Sequence, residues 1–227
     1  MQHFLATTIV RFMTIRRTLF TLILIVSCFS NAHASLISRD LAHSGDGLLT
    51  YDSQSGLEWL DLTQSTGLTL VSIAHETAAG GRYEGFQLAN LETVKALFLD
   101  AGWTGNYGEA TDTANVVAAY SLVTMLGMTA NFGSEAEGAQ IAIGRVSDVL
   151  AGPGTTTSIH VDYDYSRPAR ATAYYSLAPW TSESGSQAIG AFLYRQAAVV
   201  PEPTTVSLLA AGLMLLIWRS RTVGTRA

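Results

Sequence analysis

Apolar and polar positions first alternate at Leu48-Leu49-Thr50-Tyr51, after an Asp46-Gly47 turn, and again at Leu57-Glu58-Trp59-Leu60. With the polar loop Asp52 to Gly56 between them, the two runs predict a β-hairpin. The period then lengthens. Thr69 is placed to cap a helix through Ile73 and Ala74 that stops at Gly80-Gly81. Asn90 caps a clearer one, in which Leu91, Val94, Leu97, Phe98 and Ala101 recur at helical spacing up to Gly102. Trp59, Phe86 and Trp103 are expected core anchors. The polar, glycine-rich stretch Gly105 to Thr113 predicts a loop. Ala114 to Leu126 fits a helix closed by Gly127, and its valines fit a strand equally well. Strand alternation follows at Gln140 to Val149, Ile159 to Tyr165, Arg170 to Leu177 and Ala188 to Tyr194. Gly152-Pro153-Gly154 and Ser182 to Ser186 are turns or loops between them. There is no internal repeat.

Both ends of the chain break this pattern. Pro201-Glu202-Pro203 is a stiff extended spacer, because neither proline fits a helix interior and Pro203 disfavours helical backbone at Glu202. Beyond it, Thr204 or Thr205 can cap a run that is apolar on every side from Val206 to Trp218. A helix apolar all round belongs in lipid or deep in a core. This one is shorter than the roughly 20 residues a hydrocarbon core needs. Trp218 at an interface and snorkelling arginines make up part of the difference. Arg219, Arg221 and Arg226 follow directly, which suits a cytoplasmic membrane edge better than a buried core helix.

At the other end, Arg11, Arg16 and Arg17 precede an apolar segment, Leu19 to Phe29, and then Ala32-His33-Ala34. That is the layout of a secretory signal peptide cut between Ala34 and Ser35. A start at Met13 gives a more compact leader than one at Met1. Ile25-Val26-Ser27-Cys28 loosely fits a lipobox, a competing reading that the small-x-small site and the second anchor disfavour.

Removing both ends changes the charge picture. The whole chain has a net charge of −5, but Ser35 to Val200 holds seven basic and seventeen acidic side chains, a net charge of −10. So acidic a domain argues against nucleic acid or anionic lipid as a partner, since both need a basic face. The one cysteine, Cys28, lies in the leader, so the exported part has no disulfide, thiolate metal site or cysteine nucleophile.

The Pro-Glu-Pro triplet, apolar run and arginine tail together resemble the PEP-CTERM sorting signal of exported Gram-negative proteins. The resemblance implies an exosortase-like processing enzyme, an inner-membrane-anchored precursor, and a destination at the cell surface or in the extracellular matrix. A second resemblance rests on Gly56-Leu57-Glu58-Trp59-Leu60-Asp61, Gly85-Phe86 and the segment from Asn90 to Trp103. These residues are similar to a domain common in PEP-CTERM proteins and to the bacterial DUF1566 module, which implies a C-type-lectin-like fold. The family's arginine stands here as Gln87 and its threonine as Asn90, so any role of that arginine is absent.

Catalytic motifs are missing: there is no Gly-x-Ser-x-Gly, His-Glu-x-x-His, P-loop or dinucleotide fingerprint. The one constellation of interest is His160-Val161-Asp162-Tyr163-Asp164, where strand periodicity puts His160, Asp162 and Asp164 on one face. Two carboxylates and an imidazole are weak candidate ligands for calcium, but the glycine and distal glutamate of an EF-hand loop are absent. The plainer reading is a solvated strand face with aromatics behind it. Glu135 and Glu137, beside glycines, are expected loop charges.

The sequence therefore predicts an α+β exported domain at residues 35–198, with an N-terminal hairpin and two helices, a β-rich second half and no cofactor. It is flanked by a signal peptide at 1–34 and a sorting signal at 199–227, whose transmembrane helix spans 204–218. The expected function is that of a non-enzymatic surface or matrix protein associated with exopolysaccharide. An exported hydrolase acting on polysaccharide or peptide is the alternative. It would require two acidic groups facing each other at roughly 5–10 Å.

Overall fold

The predicted hairpin forms the middle of one sheet. In the computed structural model, which describes residues 36–104, 108–133, 138–149, 155–164, 170–181 and 185–198, β2 (Leu49–Asp52) and β3 (Leu57–Leu60) pair antiparallel. Thr50 lies opposite Trp59, and Asp52 opposite Leu57. β1 (Leu36–Arg39) lies antiparallel along the outer side of β2. The other side of β3 is taken by the last described strand, β11 (Leu193–Gln196), and then by β4 (Gln87–Leu88).

Alternation decides where each hairpin side chain goes. Leu57 and Trp59 enter the main core, while Leu49 and Leu60 enter a smaller one on the opposite face. Against the smaller core lies α1 (Leu70–Thr77), which contributes Ile73 and whose cap Thr69 accepts from the Ser72 amide at 3.0 Å. Tyr83 and Phe86 complete it.

The main core takes α2 (Leu91–Asp100), where Leu91, Val94, Leu97 and Phe98 are buried at the predicted spacing. Its first turn is capped twice: Asn90 accepts from the Thr93 amide at 2.8 Å, and Asp148 accepts from the Leu91 amide at 2.5 Å.

The segment that fits helix or strand equally well is α3 (Thr113–Leu126). Asp112 accepts from the Asn115 amide at 3.0 Å, and Gly127 ends the helix with a φ of 86°. Between these stops, Ala118, Ala119, Leu122, Val123 and Leu126 form one buried stripe at helical spacing. That burial and two alanines outweigh the β preference of Val116 and Val117. Gly127 admits no side chain, because a Cβ there would lie 2.1 Å from Asp61 Oδ1. The same Asp61 caps the 3₁₀ turn Leu62–Ser65.

The β-rich second half forms another sheet. β7 (Gly138–Val146), β8 (Thr155–Asp164) and β9 (Arg170–Thr181) are antiparallel neighbours, and β5 (Gly108–Ala110) extends the sheet beyond β9. The free side of β7 is shared by β6 (Ala130–Gly133), which is antiparallel, and β10 (Gly190–Ala191), which is parallel.

Three expectations change. The stretch read as a loop from Gly105 to Thr113 contains β5, whose residues are held by pairing Gly108 to Ala110 with Ala173 to Ala171. The strand expected at Ala188 to Tyr194 is two strands in different sheets. Phe192 is the crossing point: its amide donates to Arg145 O at 3.0 Å, and its carbonyl accepts from Ala89 N at 2.8 Å. Its ring meets Trp59 edge-on at 6.3 Å and Phe98 at 6.4 Å. Gly144 makes room for it, since a Cβ there would sit 2.5 Å from the Phe192 ring. Third, β1 and β6 carry no alternation strong enough to predict them.

Trp59, Phe86 and Trp103 are buried anchors, as expected. Among the described residues the architecture is mixed α+β, β-rich with three α-helices. Among the described residues no helix is long and apolar enough to cross a membrane, and the transmembrane helix expected at 204–218 lies outside them.

Candidate functional site

The polar face of the six-stranded sheet gathers the candidate residues. β8 alternates as the sequence implies. Ile159 and Val161 point into the main core, and Tyr163 packs edge-on against Tyr120 of α3 at 5.3 Å. Thr156, Ser158, His160, Asp162 and Asp164 belong to the other register set. Across β7 their partners are Arg145 opposite Ser158, Ile143 opposite His160 and Ile141 opposite Asp162. On the other side, Thr172 of β9 lies opposite Asp162 and Arg170 opposite Asp164, with Glu109 of β5 next to Thr172. Arg170 Nη1 and Glu109 Oε1 form an ion pair of 3.0 Å at the rim.

The expected solvated face is instead largely covered at its centre. His160 is only 9% exposed, and burial lowers its pKa to about 4, so the imidazole is neutral at pH 7. Burial raises Asp162 to about 6. The Thr172 hydroxyl opposes that rise, and the charges of Asp164 and Glu109 add to it. Asp162 Oδ1 has no hydrogen-bond partner among the described residues. Deeper along the face, Arg145 is fully buried with Nη1 donating to Leu68 O at 2.6 Å, and burial lowers its pKa.

This arrangement suits hydrogen bonding more than metal binding. Successive positions on one strand face are about 7 Å apart and stand parallel, so three donors do not converge on one ion. Among the described residues, no group of three or more His, Cys, Asp or Glu side chains could hold a metal. Desolvation also works against the charged form of Asp162 that a cation would require.

Most other acids near the cores have structural partners that the sequence did not reveal. Glu58, on the face of β3 opposite Trp59, is clamped between Arg39 Nη1 and Arg195 Nε, each at 2.9 Å. Arg39 also lies 3.5 Å over the Tyr51 ring and Arg195 4.7 Å over that of Phe86. Asp46 accepts from the amides of Leu41, Ala42, His43 and Leu48, which hold its pKa well below the usual range. At the tip of the hairpin, buried Asp52 accepts from the Gln54 amide and meets Asp100 at the end of α2. Desolvation, the Asp52 charge and a hydrogen bond to Asp52 raise Asp100 to about 6.

The alternation of LEWL put Glu58 opposite Trp59, but its two arginine partners are 19 and 137 residues away, beyond any local pattern. Pro201, Glu202, Pro203, Arg219 and Arg221, the cleavage residues Ala32, Ala34 and Ser35, and the loop charges Glu135 and Glu137 lie outside the described residues.

No curated protein and no solved structure matches the chain. Residues 199–221 match the PEP-CTERM protein-sorting motif, and this marks the chain as an exported protein sorted by an exosortase-type enzyme from a membrane-anchored precursor.

Proposed function

We propose that this is a non-enzymatic protein of the cell surface or extracellular matrix that associates with exopolysaccharide once its sorting tail has been processed. The observation that carries the reading is the sorting motif at 199–221. The described domain supports it through the use of its acids. Glu58 is an ion-pair clamp, while Asp61, Asp112 and Asp148 cap helices or turns and Asp46 closes a loop. Side chains held in such roles are poorly placed for acid–base chemistry on a substrate.

The polar face of the second sheet is the best surface for a neutral polyhydroxylated ligand. It offers the partly exposed Asp162, whose protonated form burial favours, and the partly exposed Thr172 hydroxyl, both of which pair with sugar hydroxyls without a charge to desolvate, whereas His160 and Ser158 are buried. The lectin-like expectation for the first half rests on its sequence resemblance alone. One observation favours the hydrolase reading: a carboxyl raised to about 6 is the ionisation expected of a general acid. Its nearest carboxylates, Asp164 on the same strand face and Glu109 on β5, stand beside it on one sheet and not across a cleft, and the Asp52–Asp100 pair is in hydrogen-bond contact, closer than the roughly 5–10 Å that glycoside cleavage needs.

The test is co-sedimentation of the protein with exopolysaccharide from its own producing cells, with released reducing ends measured in the same tube. Retention without new reducing ends supports a binding protein. New reducing ends that vanish in Asp162→Asn support the hydrolase. Neither retention nor cleavage overturns the exopolysaccharide assignment.

A further inference from the structure

We propose that the turn between β2 and β3, together with the C-terminal end of α2, is the face that the exported domain holds against the lipid surface while the chain is anchored. The inference rests on the membrane-anchored precursor implied by the sorting motif; the orientation comes from the topology of the first sheet.

The described chain starts and finishes at one end of that sheet. Its first residue, Leu36, pairs with Asp52, Asp52 pairs with Leu57, and Leu57 pairs with Gln196, the last residue of β11. The points where the chain enters and leaves are thus three strand spacings apart, about 14 Å. Both flank the turn formed by Ser53 to Gly56. α2 runs back toward the same end, since Asp100 in its last turn meets Asp52.

The tether is short. Ala197 N still donates to Gly56 O at 3.1 Å, and the sorting motif begins at residue 199. Even fully extended, the seven Cα-to-Cα steps from Ala197 to Thr204 reach about 25 Å, so this end of the domain stays within that distance of the apolar run. β11 is not an edge strand that could peel away to lengthen the tether. It is bonded to β3 on one side and β4 on the other. The opposite end of the domain, marked by the start of α2 and by Ser147 beside Ala89 O, is farther away by the length of that helix, about 15 Å for ten residues.

The face is not a basic lipid-binding patch, so it is apposed by the tether and not by charge.

The experiment uses the full unprocessed chain in vesicles of neutral and anionic phospholipid carrying a headgroup acceptor dye. In a Cys28→Ser background, which removes the only native cysteine, a donor dye is placed at Gln54→Cys, Leu99→Cys or Ser147→Cys. Gln54 and Leu99 are exposed at the proposed face, and Ser147 is exposed at the far end. Energy transfer at least twofold stronger from positions 54 and 99 than from 147 is expected. Equal or reversed transfer, with all three proteins folded by circular dichroism and floating with the vesicles, overturns the orientation. A chain that does not float with vesicles overturns the anchored precursor itself. The two independent sites guard against a substitution that disturbs the turn.

Discussion

Glu58 is the residue whose loss should expose how the first sheet is held together. Its side chain is 8% exposed, and its two arginine partners are 35% and 34% exposed. Removing one partner of a buried ion pair costs roughly 3–5 kcal/mol, whereas an exposed pair is worth about 1 kcal/mol or less. A buried carboxylate between two half-buried guanidiniums lies between these limits. Glu58→Ala should therefore destabilise the protein by about 2–3 kcal/mol, since both arginines lose their counter-charge. For a domain of this size that lowers Tm by roughly 5–10 °C. Urea unfolding of the detergent-solubilised chain, followed by tryptophan fluorescence, measures it. Glu92→Ala is the matched control: its pair with Lys95 is three residues apart on an exposed helix face, and its loss should cost less than about 0.5 kcal/mol. If Glu58→Ala is no worse than Glu92→Ala, the clamp contributes nothing and the assignment of Glu58 to structure is refuted.

Other predictions follow from single contacts. Asp162 has a folded pKa of about 6 against an ordinary 3.8, so its contribution to stability is greatest below about pH 3.8 and is lost as pH rises through 6. Asp162→Asn removes that loss and should be more stabilising at about pH 7 than at about pH 4, by about 1 kcal/mol after discounting for its partial exposure. His160 changes stability in the opposite direction over this range, but it is common to both proteins and cancels in the difference. Gly127→Ala should cost about 2 kcal/mol or more in urea unfolding, since it combines positive φ with a clash against Asp61. Gly80→Ala has a similar φ of 81° but meets nothing within 4 Å and should cost about 1 kcal/mol. A chain stopped after Phe192 lacks β11 and should be digested by protease under conditions where a chain stopped after Ala198 resists, because β11 lies inside its sheet and not at an edge.

What the sequence made legible was local. Side-chain alternation in LEWL, the caps at Thr69 and Asn90, and the helical spacing of Leu91, Val94, Leu97 and Phe98 all reappear, because each rests on contacts within a few residues. Alternation also sorted His160 and Asp162 from Ile159 and Val161. The environment of that face was not legible, since the burial of His160 depends on tertiary packing that alternation along one strand does not report. The break at Phe192 escaped for the same reason: an apolar run of seven residues reads as one strand, and only the arrival of both sheets divides it. β5 was hidden because Gly108 to Ala110 gains its strand geometry from β9, more than 60 residues later. The sorting motif was legible because its apolar run and charges act through the membrane, not through partners elsewhere in the chain.

Whether the tail sorts this protein is decided by expressing it with and without the processing enzyme. The chain is expressed in a host with its exosortase and in the same host without it, then fractionated and weighed by intact mass spectrometry. The account predicts loss of the tail near Pro201, with arrival at the surface or in the medium, only when the exosortase is present. A mass that retains Arg219, Arg221 and Arg226 in both hosts would contradict it and leave the tail an ordinary membrane anchor.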